Sequence, residues 1–375
     1  MQLLKILETL GVTFVGGMIF NWLHAPLSWM LGPLAAVLIW QGTTQRLLKW
    51  PTGCRNAGLA LLGYGIGLSF TAESAMQILK QLPWMLLATV LVVGFCLILG
   101  YAISRGCGIS ASSAILGSVP GGLSHMVVLS EEFRHADRTI VTFMQTIRLL
   151  SVLFVVPFLA VHGLADANPP GGTFSLDTRP SGSAIEFIGG NSFPGLSSPW
   201  GLFAAAVFVP LAGWLAARLK LPAPWFLGPT IAAALMTVGG WGPPQLPEIV
   251  TIGAQWSLGI YLGLGIRFRS LSGWRRLLPY SLVSGLATVA FSIALSLVYS
   301  LILPMDTVTV FLGAAPGGMA EMGVTAAALH ADVSMVIAYQ MFRILFILLI
   351  VPFILRWLLG KPGNMTEADG IKPDF

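Results

Sequence analysis

Long runs of apolar residues dominate this chain, and the polar residues are gathered into short intervals between them. A helix that spans a bilayer needs about 20 mostly apolar residues. Stretches with few or no charges run over 9–23, 25–45, 56–72, 81–104, 106–130 and 139–161. A polar stretch, roughly 163–186, follows. It contains Pro169-Pro170-Gly171-Gly172 and reads as a linker. A second apolar series then covers 187–217, 221–247, 249–266, 277–305, 307–329 and 333–355. The pattern predicts an all-α integral membrane protein. Its units are a first membrane repeat over 1–162, a periplasmic linker over 163–199, a second repeat over 200–360 and a short polar tail over 361–375.

The two series are copies of one unit. Trp29-Met30-Leu31-Gly32-Pro33 returns as Trp225-Phe226-Leu227-Gly228-Pro229, and Gly65-Ile66-Gly67 is matched to Gly263-Leu264-Gly265. Leu116 to Gly122 returns as Leu312 to Gly318, each ending in Pro-Gly-Gly. His135-Ala136-Asp137, the pair Gln145 and Arg148, and Val156-Pro157-Phe158 all have counterparts at His330-Ala331-Asp332, Gln340 with Arg343, and Val351-Pro352-Phe353. The offset stays at about 196 residues. Unrelated apolar helices would not keep polar residues in the same order. The N-terminal apolar run is therefore expected to be a retained span rather than a cleaved leader, because 200–217 repeats it.

Charge sets the expected orientation of the copies. Lys and Arg gather on the cytoplasmic side of membrane proteins. In the first copy the excess follows the second segment, at Arg46, Lys49 and Arg55, while Glu73 and Lys80 cancel after the third. In the second copy it follows the third segment, at Arg267, Arg269, Arg275 and Arg276, and only Glu248 follows the second. Equivalent loops thus face opposite sides, as in inverted-topology repeats. Inversion needs an odd number of crossings. Proline removes a donor and glycine permits a tight bend, so the fifth segment breaks at Pro-Gly-Gly into a re-entrant hairpin. Five crossings plus one hairpin per copy follow, with both termini inside.

Composition narrows the function classes. Charged residues make up 9% of the chain and hydrophobic residues 55%, far from a soluble domain. The formal net charge of +5 lacks the dense Lys/Arg run that nucleic-acid binding needs. Three cysteines, Cys54, Cys96 and Cys107, fit no metal or disulfide framework. The expected partners are the lipid bilayer and a small solute, with no nucleic acid, no cofactor and no metal. Self-association is left open.

The candidate site gathers around the breaks. Pro120, Gly121 and Gly122, with Pro316, Gly317 and Gly318, would expose half-helix N–H groups and a positive dipole end at membrane depth. The alternative is an ordinary kinked helix. Ser124 and His125 align with Ala320 and Glu321 just beyond the breaks. Ionisable groups at depth are costly, so Glu321 is a candidate for a proton or cation and His125 for a solute hydrogen bond. Arg148 and Arg343 lie deep in the sixth segments, three residues after Gln145 and Gln340 and on the same helix face. Two guanidiniums there favour a carboxylate-like anion, and the alternative is a structural ion pair such as Arg343 with Glu321. Asp137 and Asp332 read as helix N-caps, and the Gly-x-Gly patterns as close-packing positions.

The duplicated Pro-Gly-Gly unit with its Trp-x-Leu-Gly-Pro partner resembles the bacterial AbrB-type membrane protein family over nearly the whole chain. The resemblance implies a multi-pass inner-membrane protein with a duplicated domain, and supplies no catalytic residues. Family members carry labels such as regulator or ammonia monooxygenase. The reading expected here is a secondary transporter of a small anionic organic solute by alternating access, with proton or cation coupling open. It is not an enzyme. The alternatives are a membrane-embedded sensor acting indirectly on gene expression, and a membrane monooxygenase. The latter would need clustered ligands, which His24, His125, His135, His162 and His330 do not provide by spacing.

Overall fold

The computed structural model describes residues 2–164, 199–266 and 274–359, apart from 45, 47, 134, 242 and 304. The linker over 165–198, the tail after 359, and Arg267 and Arg269 lie outside the described residues. Every described element is helical. The first copy forms α1 (Gln2–Trp22), α2 (Ser28–Thr44), α3 (Thr52–Gly67), α4 (Ala72–Cys107), α5 (Ala111–Ser118), α6 (Leu123–Ser130) and α7 (Arg138–Leu159), which ends in a π-helical turn. The second forms α8 (Pro199–Arg218), α9 (Pro224–Val238), α10 (Glu248–Gly265), α11 (Trp274–Ile302), α12 (Thr307–Ala314), α13 (Met319–Ala328), α14 (Val333–Leu349) and α15 (Val351–Leu359).

Three helices are long and apolar enough to cross a membrane: Ala72–Cys107, Arg138–Leu164 and Leu277–Ile302. Val333–Leu349 with Val351–Leu358, bent by 42°, makes a fourth. Their amphipathicity is inside-out. On α11 the hydroxyls of Ser281, Ser284, Thr288, Ser292 and Ser296 are buried, while Val283, Leu286, Leu297 and Leu301 are exposed. Most of those hydroxyls donate to a carbonyl one turn back, as Thr288 does to Ser284 O at 2.7 Å. Continuous exposed apolar surface of this kind marks contact with lipid rather than water.

The repeats are not the packing units. Helices α1, α2, α3, α8, α9 and α10 pack together as one group, and α4–α7 pack with α11–α15 as a second. Contacts within each group exchange between copies: α3 packs on α9 as α10 packs on α2. Glycine makes these approaches possible. A Cβ on Gly63 would clash with Phe226 O, and one on Gly259 with Met30 O, the equivalent carbonyl. Gly67 lies against Thr230 O as Gly263 does against Leu34 O. The packing register therefore pairs Gly67 with Gly263, correcting the Gly-x-Gly match by two residues. The Trp-x-Leu-Gly-Pro unit has a similar task. Trp29 packs over Gly17 as Trp225 does over Gly213.

In the second group α4 and α11 run antiparallel along most of their length. Trp84 meets Tyr299 at one end, Cys96 meets Thr288 in the middle and Gly106 accepts from Tyr280 at the other. Phe95 and Phe291 occupy equivalent positions and stack on each other, centroids 4.3 Å apart and planes 3° from parallel. They sit on the pseudo-twofold relation between copies. The two helices also correct a boundary. The interval around Glu73 and Lys80 is not a loop, because α4 begins at Ala72, capped by Thr71, whose side chain accepts from Ser74 N.

Gly259→Ala should lower stability by about 1–3 kcal/mol through overpacking against the Met30 backbone. Gly253→Ala on the same helix has open space around it and should be neutral or stabilising. Thermal unfolding of both variants in detergent checks the pair, and equal melting temperatures would refute the close-packing role.

Candidate functional site

Both fifth segments break where Pro-Gly-Gly stands. Helix α5 stops at Ser118 and α12 at Ala314, after which Val119 and Ala315 turn extended at ψ 130° and 138°. The N–H groups of Gly121 and Gly317 donate two residues back, to Val119 O at 2.9 Å and Ala315 O at 2.8 Å. Those two donors are therefore consumed, and the second half-helices begin at Leu123 and Met319 rather than at the glycines themselves. Gly122 takes φ +83°, a conformation that needs glycine. Gly121 lies against Ile347 of α14, so the first break meets an element of the second copy.

Each break strands the last carbonyls of its first half-helix. The Gln–Arg pair of the following helix takes them up. Gln145 Nε2 donates to Leu116 O at 2.7 Å and Val119 O at 2.8 Å, and Gln340 Nε2 to Leu312 O at 2.7 Å and Ala315 O at 3.0 Å. Arg148 Nη1 donates to Ser118 O at 3.1 Å, and its Nη2 to Gln145 Oε1 at 2.7 Å. Arg343 Nη1 donates to Ala314 O and Ala315 O, its Nη2 to Gly317 O at 2.9 Å and to Gln340 Oε1. All four side chains are buried, with Arg148 at 5% and Arg343 at 3% exposure. A positive group at a helix C-terminus faces the negative dipole end, which offsets part of its desolvation.

The arginines therefore do not reach into open space as a two-pronged anion clamp. Both terminal nitrogens of each are engaged by break carbonyls and the neighbouring glutamine, and among the described residues no ion pair joins Arg343 to Glu321. What remains is Nε of each arginine, buried without a partner. Beside Arg343 lies a cavity of about 10 Å³, lined also by Thr89 and Tyr339, with room for roughly one water.

The two tips beyond the breaks differ. Gly318 is the N-cap of α13, and Glu321 is its third helical residue. The Glu321 carboxylate folds back over Gly318, into the space a Cβ there would occupy. The carboxyl group thus lies over the N-terminal, positive end of α13, without the hydroxyl N-cap of a full capping box. Glu321 is 7% exposed. In the first copy the same position is His125, which is exposed beside an exposed Gly122. Ser124 lies on α6, and its side chain is outside the described residues. Pro120 and Pro316 are both buried at the turns.

Asp137 and Asp332 are N-caps of α7 and α14, accepting from Thr139 N at 2.7 Å and Met335 N at 3.0 Å. Their own N–H groups donate to Ser113 Oγ at 2.7 Å and Thr309 Oγ1 at 3.0 Å. Sequence reasoning passed over these hydroxyls, although their equal offset in the two copies was a usable signal. It also passed over Thr251 and Gln255, one turn apart on α10, whose Oγ1 and Nε2 are buried without partners. Nothing in the sequence separates them from ordinary helix residues. Among the described residues no three His, Cys, Asp or Glu side chains gather as a metal site.

Comparison with known proteins places this geometry in a family. An uncharacterized protein of Bacillus subtilis (strain 168), YhjN, is 27% identical over 98% of this chain and 96% of its own length. A protein of Escherichia coli (strain K12) named "Putative regulator AbrB" is 28% identical over 89% of this chain and 91% of its own. Residues 3–359 match the family described as "Transition state regulatory protein AbrB", and the chain belongs to that AbrB family.

Proposed function

We propose that this chain is a multi-pass protein of the bacterial inner membrane, built of two inverted repeats, that carries a small anionic organic solute by alternating access. One observation bears most of the weight: equivalent helix breaks, each held by a buried Gln–Arg pair, occur on copies whose long helices α4 and α11 run antiparallel. Copies related by an axis along the membrane normal would put equivalent helices parallel. An axis in the membrane plane puts them antiparallel. Contacts near the chain's charged ends fit the same topology. Glu8 pairs with Arg46 at 3.7 Å, Arg55 lies over the Tyr261 ring and Glu132 pairs with Arg356 at 2.7 Å. Each joins segments that this topology places on the cytoplasmic face.

The solute's charge is argued from the tips. The positive end of α13 is already faced by Glu321, while that of α6 carries only His125. A carboxylate would find its donors at the first tip, in the N–H groups of the first turn of α6 and the His125 ring. Glu321 is the group placed to exchange a proton or cation. The arginines hold the broken backbone in place for this, and no catalytic role is assigned. A second reading, a membrane-embedded sensor acting on gene expression, draws on the regulator names of the family and the E. coli relative.

Single cysteines at Lys49 and Arg275 should react with an impermeant reagent from the same face of the membrane. Labelling from opposite faces removes the inverted topology and the carrier with it. Small carboxylates should raise the melting temperature of the purified protein, and His125→Ala should weaken that affinity about tenfold, or 1.4 kcal/mol. No carboxylate response in a broad screen would sink the anion assignment. Arg343→Lys should behave differently: an ammonium cannot fork between the Ala314, Ala315 and Gly317 carbonyls. A stability loss of roughly 2–4 kcal/mol is expected by thermal unfolding. A variant as stable as the parent would contradict the capping role.

A further inference from the structure

The copies make matching contacts almost throughout, and the main exception lies at the junction of the two helix groups. Helix α13 packs on α3, where a Cβ on Gly323 would come within 2.7 Å of Ile66 Cδ1. Beside it Ser334 Oγ, on α14, donates to Ser69 O at 2.9 Å just past the end of α3. The same register in the other copy would dock α6 on α10, through Val127 and Leu262. Among the described residues α6 packs on α5 and α7 and forms no comparable interface with α10. Exposure follows the packing. Glu321 is buried near the docked junction, and His125 and Gly122 are exposed beside the undocked one.

Two copies of one fold can exchange roles. The state with α6 docked and α13 free is built from the same helices. Its energy differs from the present one only through the residues that differ between copies, such as Gly323 against Val127 and Ile66 against Leu262. The hairpins would move with their supporting helices, because Gln145 with Arg148 and Gln340 with Arg343 tie each broken segment to α7 or α14. The junction with the α3 and α10 group is then the surface that gives way.

We infer that the protein alternates between this state, with Ile66 against Gly323 and Ser69 bonded to Ser334, and a second state in which those contacts open and Val127 docks on Leu262. The inference rests on the inverted-repeat carrier reading and names the two junctions that exchange.

Paired cysteines test it without any solute. With Cys54→Ser, Cys96→Ala and Cys107→Ala as background, Ile66→Cys with Gly323→Cys, and Val127→Cys with Leu262→Cys, are oxidised in permeabilised membranes. Both pairs should cross-link. In the four-cysteine variant, closing either pair should reduce closure of the other about tenfold. A 127–262 pair that never closes, or one that closes as readily after the 66–323 pair is locked as before, overturns the exchange. Should the buried pairs impair folding, single cysteines at Glu321 and His125 carry the test. Each tip is undocked in one state, so maleimide should modify both to completion. A Glu321→Cys that stays unreactive while His125→Cys reacts overturns the exchange. Cross-links that alternate in a protein with no uptake or ligand response leave the exchange standing and remove the carrier. Lost alternation, with Lys49 and Arg275 labelled from one face, removes the exchange alone.

Discussion

A backbone carbonyl buried away from water must find a donor, and two broken helices in an apolar protein make that demand acute. The answer here is the same in both copies. A glutamine amide bridges two carbonyls where the half-helix has just ended, and an arginine three residues later takes the one between them, Ser118 O or Ala314 O. Each charge-assisted bond contributes on the order of 1.5–3 kcal/mol, against several for desolvating a guanidinium. The helix dipole works in the same direction, so the positive group rests on the negative end of each half-helix. Without that pair the break would be an unsatisfied end in a dry interior. With it, a bend becomes a fixed structural point, and the free ends of α6 and α13 are set beyond it.

From that point the two copies diverge. Their C-terminal ends are capped alike, and their N-terminal ends are not. Glu321 closes one with its own carboxylate, over a glycine that leaves it room, and His125 leaves the other without an acidic cap. Symmetry in the supporting bonds and difference at the tips suits a pair of elements that share a mechanical role but not a chemical one. The stacked Phe95 and Phe291, with Cys96 against Thr288, hold the central helices α4 and α11 to each other.

Much of the architecture was legible in the sequence, for physical reasons. Apolar runs reported helices because lipid tolerates little else, and a duplicated Pro-Gly-Gly reported a break because both residues act on the backbone itself. Asp137 and Asp332 reported caps because a short carboxylate before a helix has few other uses. Less legible was everything set by packing. Glu73 and Lys80 looked like a loop, yet a helix can carry charges in its first turns, and α4, which begins at Ala72, does. The glycines aligned two residues out of register, because spacing alone does not reveal which carbonyl each one meets. Gln145, Arg148, Gln340 and Arg343 were correctly turned inward, but their partners are main-chain oxygens, which have no letter in a sequence.

The grouping of helices was the hardest feature to foresee, and it bears most on how the molecule can move. Segments from the two copies assemble with each other as well as with their own sequence neighbours, so each group contains half of each repeat. Within the first group the contacts are backbone-to-backbone approaches at glycines, which tolerate little displacement because no side chain can yield. Within the second, the Gln–Arg bonds bind each broken segment to its supporting helix. The seam between groups is of another kind: the Ile66 side chain near Gly323, a single hydroxyl from Ser334 and a shared apolar core. Side-chain contacts of this sort can slide or repack at modest cost, whereas the interiors on either side cannot. Rigidity inside each group therefore directs any rearrangement to the seam, where one copy is docked and the other is not.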